Sequence, residues 1–144
     1  LGLVPALRWY VGRQAERAGW QLRFSAEGVT GRPSPEIEIA CFRLAQEALT
    51  NVVRHSQANK VEVLLERSPK ELTLVIRDNG IGFDQEAVRS GARVGTSVGL
   101  SGMEERVQLV GGTISIESTQ SVGTEIRASF PDGASSQGTK ESLT

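Results

Sequence analysis

An alternating apolar run, Leu72, Leu74 and Ile76, breaks directly into Asp78-Asn79-Gly80-Ile81-Gly82-Phe83. The period of two predicts a strand with one buried face, and that strand ends on a carboxylate. Gly80 and Gly82 then let the backbone bend and come close to a ligand. A carboxylate placed there can accept hydrogen bonds from the exocyclic amine of a purine. The same string is also an ordinary Asp-Asn-Gly turn, so its meaning depends on its partners elsewhere in the chain.

The first partner is a helical pattern over Pro35 to His55. Ser34 is placed to cap it, Pro35 suits its first turn, and Ile37, Ala40, Cys41, Leu44, Ala48 and Val52 form an apolar stripe. At about 100° per residue, Glu47, Asn51 and Arg54 fall within roughly 60° of one another beside that stripe. A carboxylate, an amide and a guanidinium converging at the core border suit a magnesium–phosphate ligand. Read blandly, they form a solvated face with helical charge pairs.

The second partner is Val98-Gly99-Leu100-Ser101-Gly102-Met103, which opens a helical pattern continued by Val107 and Val110. Backbone N–H groups exposed at a glycine-rich helix start attract phosphate, although such glycines also serve as packing punctuation. A further element, Gly123-Thr124, lies in a strand pattern that ends at Phe130.

Between these motifs the coarse reading alternates. A helix is expected over about Val4 to Ala18, closed by Gly19, then a short strand over Gln21 to Ala26 and a Gly/Pro linker from Gly28 to Pro35. Strands follow at Lys60 to Arg67 and Glu71 to Arg77, joined by a Ser-Pro-Lys turn. Gln85 to Val98 reads as a mobile lid, Leu100 to Val110 as a third helix, and Thr113 to Ser118 and Thr124 to Phe130 as strands. Strands in adjacent pairs with separate helices predict an α+β two-layer sandwich.

In this order and at these spacings, the four elements resemble the catalytic ATP-binding domain of bacterial sensor histidine kinases, in the superfamily shared with gyrase, Hsp90 and MutL. Gln46 to His55 looks like the family's N box, Asp78 to Phe83 like its first glycine box, Gly99 to Met103 its second and Gly123-Thr124 its third. The run Gly102 to Val107 before Gly111-Gly112, and the N-box ending Arg54 to Ala58, resemble the nitrate-sensor and lipid-sensor branch. That branch often carries glycine two residues before Gly99, where this chain has Ser97. A phenylalanine-rich box is not evident between Phe83 and Gly99, which fits the branch.

The resemblance implies a Bergerat-type fold, with a mixed sheet covered on one face by helices and ATP lying between helices and lid. It assigns Asp78 to the adenine amino group, with a water shared by Thr124, and Gly80, Gly82 and Phe83 to the adenine side. Asn51 would coordinate Mg2+ through the phosphates, while Gly99, Leu100, Gly102 and Met103 form the phosphate-binding box. Arg54 would add positive charge, and Glu47 is the candidate base. His55, the sole histidine, lines the nucleotide wall in a supporting role and is not the phosphoacceptor.

The implied activity is autophosphorylation of a histidine on a separate dimerisation domain, then relay to a response-regulator aspartate, in a homodimeric parent kinase. A serine kinase acting on an anti-sigma-factor antagonist and a non-catalytic nucleotide-binding module are the alternatives. No P-loop string occurs.

Composition bounds the rest. At 144 residues and net charge −1, the chain is expected to hold one domain with a real core and no electrostatic affinity for nucleic acid or an anionic membrane. No apolar run reaches transmembrane length; the resemblance implies a cytoplasmic domain, whether or not the parent is membrane-anchored. A single cysteine, Cys41, excludes an internal disulfide and reads as a core residue. Leu3, Leu7 and Val11 begin an amphipathic pattern at once, as in a fragment of a longer protein. The expected domain covers 1–131, and Asp132 to Thr144 reads as a disordered tail.

Overall fold

The computed structural model describes residues 2–89 and 94–131, and for residues 89 and 94–99 the backbone alone. The order is α1 (Leu3–Ala18), β1 (Gln21–Ser25), α2 (Pro35–Asn51), a π-helical turn (Val52–Ser56), β2 (Lys60–Arg67), β3 (Glu71–Asp78), α3 (Gln85–Arg89), α4 (Val94–Leu109), β4 (Thr113–Thr119) and β5 (Gly123–Pro131). Positions 132–144, read above as a tail, lie outside the described residues.

Local chemistry explains the helix ends. α1 stops where Gly19 adopts a left-handed conformation (φ 77°) and its N–H closes onto Ala15 O. α2 starts with Pro35 in its first turn, but Ser34 makes no side-chain cap. Its carbonyl accepts the Glu38 N–H instead, at 3.0 Å.

The five strands form one mixed sheet in the order β1-β2-β3-β5-β4. β1 and β2 run parallel, as the α2 crossover between them permits, and every other pair is antiparallel. Register aligns the inward residues into rows across the sheet. One row is Phe24, Val63, Ile76, Ile126 and Ile116; its neighbour is Leu65, Leu74, Ala128 and Ile114. Against these rows pack Leu3, Leu7, Val11 and Ala15 of α1, the α2 stripe, and Met103 and Val107 of α4. Cys41 is fully buried in that stripe, where burial pushes its thiol up to about 12. The alternation that predicts one buried face is thus satisfied by a single helical layer.

The next row toward the end of the sheet is different. It runs Leu22, Val61, Asp78, Thr124, Ser118. Here the helix-facing side turns polar, at the same edge where the π-helical turn ends.

The outer face carries a charged row in the same register: Arg23, Glu62, Arg77, Glu125 and Glu117. Arg77 bridges Glu62 (3.0 Å) and Glu125, and Arg23 reaches Glu62 at 3.5 Å. Pairs this exposed add little stability, roughly 0–1 kcal/mol each, but a one-residue slip would break all of them and carry the apolar rows to the outside.

Candidate functional site

Asp78 closes β3 and sits opposite Thr124 of β5. Its Oδ1 accepts the Gly80 N–H at 2.8 Å, and the Thr124 backbone amide also favours its charged form. Burial raises its pKa above the usual aspartate value, against the pull of those two amides. Asn79, next in line, faces away from this spot. Its Oδ1 accepts the Asn59 and Lys60 N–H groups at 3.1 and 2.9 Å, and its Nδ2 donates to Asn59 Oδ1 at 2.7 Å. The Asp-Asn-Gly string is therefore more than a turn: Asn79 makes the turn while Asp78 faces inward.

Gly80 and Gly82 have distinct physical reasons. A Cβ on Gly80 would stand 2.2 Å from Ser56 O, because the end of the π-helical turn lies against the loop. The Ile81 N–H donates to that same carbonyl at 2.6 Å. Gly82 takes a positive φ of 62°, and a Cβ there would lie 2.2 Å from Thr119 O.

The helix opposite does not run as regular α to its end. After Asn51 it widens into the π-helical turn Val52–Ser56, which closes at Gln57 in a left-handed conformation (φ 56°). Ser56 Oγ donates to Val52 O at 2.9 Å and accepts the Ala58 N–H at 3.1 Å, which ties off the widened turn. Such insertions re-aim side chains and recur at functional sites.

Asn51, at the junction, and His55 both line a cavity with Ala48, Val52, Ser56, Asp78, Gly82, Phe83, Leu100, Thr124 and Ile126. The four sequence elements thus meet at one place. Glu47 and Arg54, expected beside Asn51, do not line it. Arg54 is exposed in the re-aimed turn. Glu47 lies one turn back, paired at 3.9 Å with Arg106 of α4, whose Nε is buried without a partner. Gly80 lies behind the cavity against Ser56 and does not line it, and Met103 is a fully buried core residue.

The cavity measures about 60 Å³, well short of the roughly 300–1,000 Å³ usual for ligand pockets. Leu100 of α4 forms part of its wall. The sequence places the start of that helix at Leu100, with Gly99 and Gly102 at an exposed end, whereas α4 begins at Val94. Gly99, Leu100 and Gly102 therefore stand inside the helix, where backbone N–H groups serve the i→i−4 ladder. The expected lid over Gln85 to Val98 is correspondingly replaced by α3 and the first turn of α4, while its middle, 90–93, lies outside the described residues. Ser97 falls within α4, and its side chain is likewise outside.

Residues 36–134 match the family model described as histidine kinase-, DNA gyrase B-, and HSP90-like ATPase. The chain belongs to this ATPase family. It is 41% identical over 131 residues to the signal transduction histidine-protein kinase/phosphatase DegS of Brevibacillus brevis, covering 91% of this chain and 33% of that protein. It is 34% identical over 131 residues to the oxygen sensor histidine kinase NreB of Staphylococcus carnosus, covering 91% and 37%. The chain thus spans about a third of the curated relatives it matches. The histidine kinase domain from Erythrobacter litoralis EL346 blue-light activated histidine kinase shares the fold, with TM-score 0.69 at 18% identity over 92% of this chain and 62% of that one.

Three residues of this family member escape the sequence reading. Arg106 holds Glu47, Gln85 ties α3 to the sheet, and Ser118 binds both Phe83 and Thr124. Gln85 Nε2 donates to Ile116 O at 2.6 Å and its Oε1 accepts the Ser118 N–H at 3.2 Å, so the side-chain amide stands in for a sixth strand at the edge of β4. The one available signal was the alternation Ile114, Ile116, Ser118, which puts Ser118 on the inward face. Among the described residues no helix is long and apolar enough to cross a membrane.

Proposed function

We propose that this chain is the nucleotide-binding catalytic domain of a sensor histidine kinase, residues 1–131, taking ATP with Mg2+ in the cavity between β3, β5, α2 and α4. The γ-phosphate would pass to a histidine on a separate dimerisation domain of a homodimeric parent, then to the aspartate of a response-regulator receiver domain. The observation that carries this reading is the polar row: Asp78 and Thr124 side by side on the sheet, sharing with Asn51 and His55 a cavity whose remaining lining, Ser56 apart, is apolar or glycine. The names of the relatives favour histidine over serine as acceptor. A cytoplasmic location for the domain, without direct contact to membrane or nucleic acid, goes with this reading.

Each residue then has a task. Asp78 accepts from the adenine amino group, with Thr124 beside it, while Gly82 and Phe83 shape the wall. No hydrogen bond among the described residues occupies the Asn51 side-chain amide, leaving its oxygen available to a hard cation. Among the described residues there is no cluster of three or more His, Cys, Asp or Glu able to hold a metal ion. One protein oxygen plus phosphate oxygens is the usual way magnesium is held at such sites, so the residues fit. Bound there, the metal would neutralise phosphate charge. Arg54 adds positive charge at the rim, and His55 supports the wall without accepting the phosphoryl group.

The phosphates need room and donors that a cavity of about 60 Å³ does not offer. Both come from one movement: uncoiling the start of α4 withdraws Leu100 and frees the N–H groups of Gly99, Leu100 and Gly102. Gly95, Gly99 and Gly102 make this the weakest part of the helix, since each costs about 1 kcal/mol relative to alanine.

Calorimetric titration of Mg-ATP into this chain tests the reading, and saturable one-to-one binding is the expected result. Asn51→Ala should lower affinity about tenfold or more with magnesium present, yet change it little in chelator. Equal losses under both conditions would remove Asn51 from the metal. Glu47→Gln should bind Mg-ATP as tightly as the wild type but slow phosphotransfer to a supplied dimerisation domain by roughly 10²–10⁴. A parallel fall in affinity would make Glu47 structural.

A further inference from the structure

Ser118 is the one hydroxyl in the polar row with no direct access to the cavity, yet it touches three groups that shape it. The Phe83 N–H donates to its Oγ at 2.8 Å, Thr124 Oγ1 lies 2.7 Å from it, and its own O–H points to Gly123 O at 3.2 Å. A serine hydroxyl has one proton and two acceptor positions. With the Ser118 proton on Gly123 O, both acceptor positions are filled, by the Phe83 amide and by the Thr124 hydroxyl. This is the arrangement that satisfies all three contacts at once. The reverse assignment, with Ser118 donating to Thr124, leaves the Gly123 contact without a proton.

The consequence lies at Thr124. Its proton is committed away from the cavity, so Oγ1 turns only lone pairs toward the space it lines. Beside it the Asp78 carboxylate is acceptor-only when ionised. The floor of the cavity therefore offers two adjacent acceptors and no hydroxyl donor. A 6-amino purine brings two N–H donors to that position, one for each. A 6-oxo purine brings an acceptor, which would meet two acceptors and stay unpaired.

We propose that Ser118 is a positioning residue for base selection, holding the Thr124 hydroxyl as an acceptor so that the site favours a 6-amino over a 6-oxo purine nucleotide. This rests on the reading of the cavity as a nucleotide site and adds to it the residue that sets its polarity. Without Ser118, the Thr124 hydroxyl can rotate and donate to a 6-oxo group, and the penalty against that base falls. Removing a generic structural contact would weaken both nucleotides alike and leave their ratio unchanged.

The test is calorimetry of Mg-ATP and Mg-GTP on this chain and its variants, with thermal melts to establish folding. Wild type should favour Mg-ATP by roughly a hundredfold or more. Ser118→Ala should reduce that ratio about tenfold, and Ser118→Thr, which restores the hydroxyl, should recover it. Thr124→Val should also lower the ratio, and adding Ser118→Ala to it should change the ratio no further, since the two act through one hydroxyl. A wild-type ratio in folded Ser118→Ala overturns the proposal. So does a wild-type ratio in Thr124→Val, which keeps the test decisive if Ser118→Ala does not fold. Failure of the wild type to bind either nucleotide would overturn the nucleotide reading itself and this proposal with it.

Discussion

Asp78→Asn is expected to cost this domain its nucleotide while making it harder to unfold. The binding loss follows from donor and acceptor count. Asn introduces an NH2 where the ligand also brings one, and removes a charge-assisted hydrogen bond, so affinity for Mg-ATP should fall about a hundredfold or more. The stability gain follows from burial. Desolvation lifts the folded pKa of Asp78 above its ordinary 3.8, so the folded state holds the proton more tightly than the unfolded chain. Stability is then lost as pH rises from 3.8 through the raised folded pKa, and the penalty is in force once the carboxyl is ionised. The amide oxygen can still accept the Gly80 N–H, so the substitution removes the buried charge at little structural cost.

The unfolding midpoint of Asp78→Asn should therefore exceed that of wild type at pH 7, and the difference should shrink as pH falls toward 3.8. A lowered midpoint at pH 7 would show that the carboxylate holds the loop together, and binding loss could then no longer be read as loss of recognition. Opposite signs for stability and affinity are the signature of a residue retained for function.

Gly80→Ala carries the largest expected structural effect. The new methyl would stand 2.2 Å from Ser56 O and 2.6 Å from Ser56 Cβ. The first obstacle is backbone at the end of the π-helical turn, fixed in place by the Ile81 N–H, so it cannot step aside as a flexible side chain could. Overpacking of this kind costs about 3 kcal/mol or more, which for a domain of this size lowers the melting midpoint by roughly 10 °C. Gly102→Ala is the control. A Cβ there meets nothing within 4 Å, and helix propensity favours the change by up to about 1 kcal/mol. Equal midpoints for Gly80→Ala and wild type would mean that the loop and the π-helical turn move independently.

The two variants probe different kinds of information in the chain. Gly80 announces itself locally, since a glycine after Asp-Asn at the end of an alternating strand demands a tight turn. The atom that requires glycine, Ser56 O, belongs to another segment and has no trace in that string. Asn51 and Glu47 show the same division. Regular helical geometry puts both near the core border, and both are found there. The π-helical insertion then carries His55 into the cavity lining and leaves Arg54 outside it, because a five-residue hydrogen-bond spacing shifts every following side chain around the axis.

The start of α4 shows how a local signal misleads. Gly99 and Gly102 suggest a helix end, because an isolated glycine-rich turn is a poor helix. In the folded chain the helix runs on through them to Val94. Packing of Met103 and Val107 into the core, with contacts of α3 and α2, offsets a propensity cost of a few kcal/mol.

By itself, the sequence determined the five strands and the three long helices, the inward face of β3 and the presence of Asp78 at a strand end. Those follow from periods of two and 3.6 and from glycine stereochemistry, which are properties of neighbouring residues. Only the tertiary structure decided that β5 lies between β3 and β4. That order brings Ser118 to Phe83 across 35 positions of chain and to Thr124 in the same row as Asp78. It also decided that Arg106 meets Glu47 and that Leu100 joins the cavity wall. Strand order and helix packing minimise exposed apolar surface over the whole molecule, and no local pattern encodes which distant hydroxyl will accept a given proton.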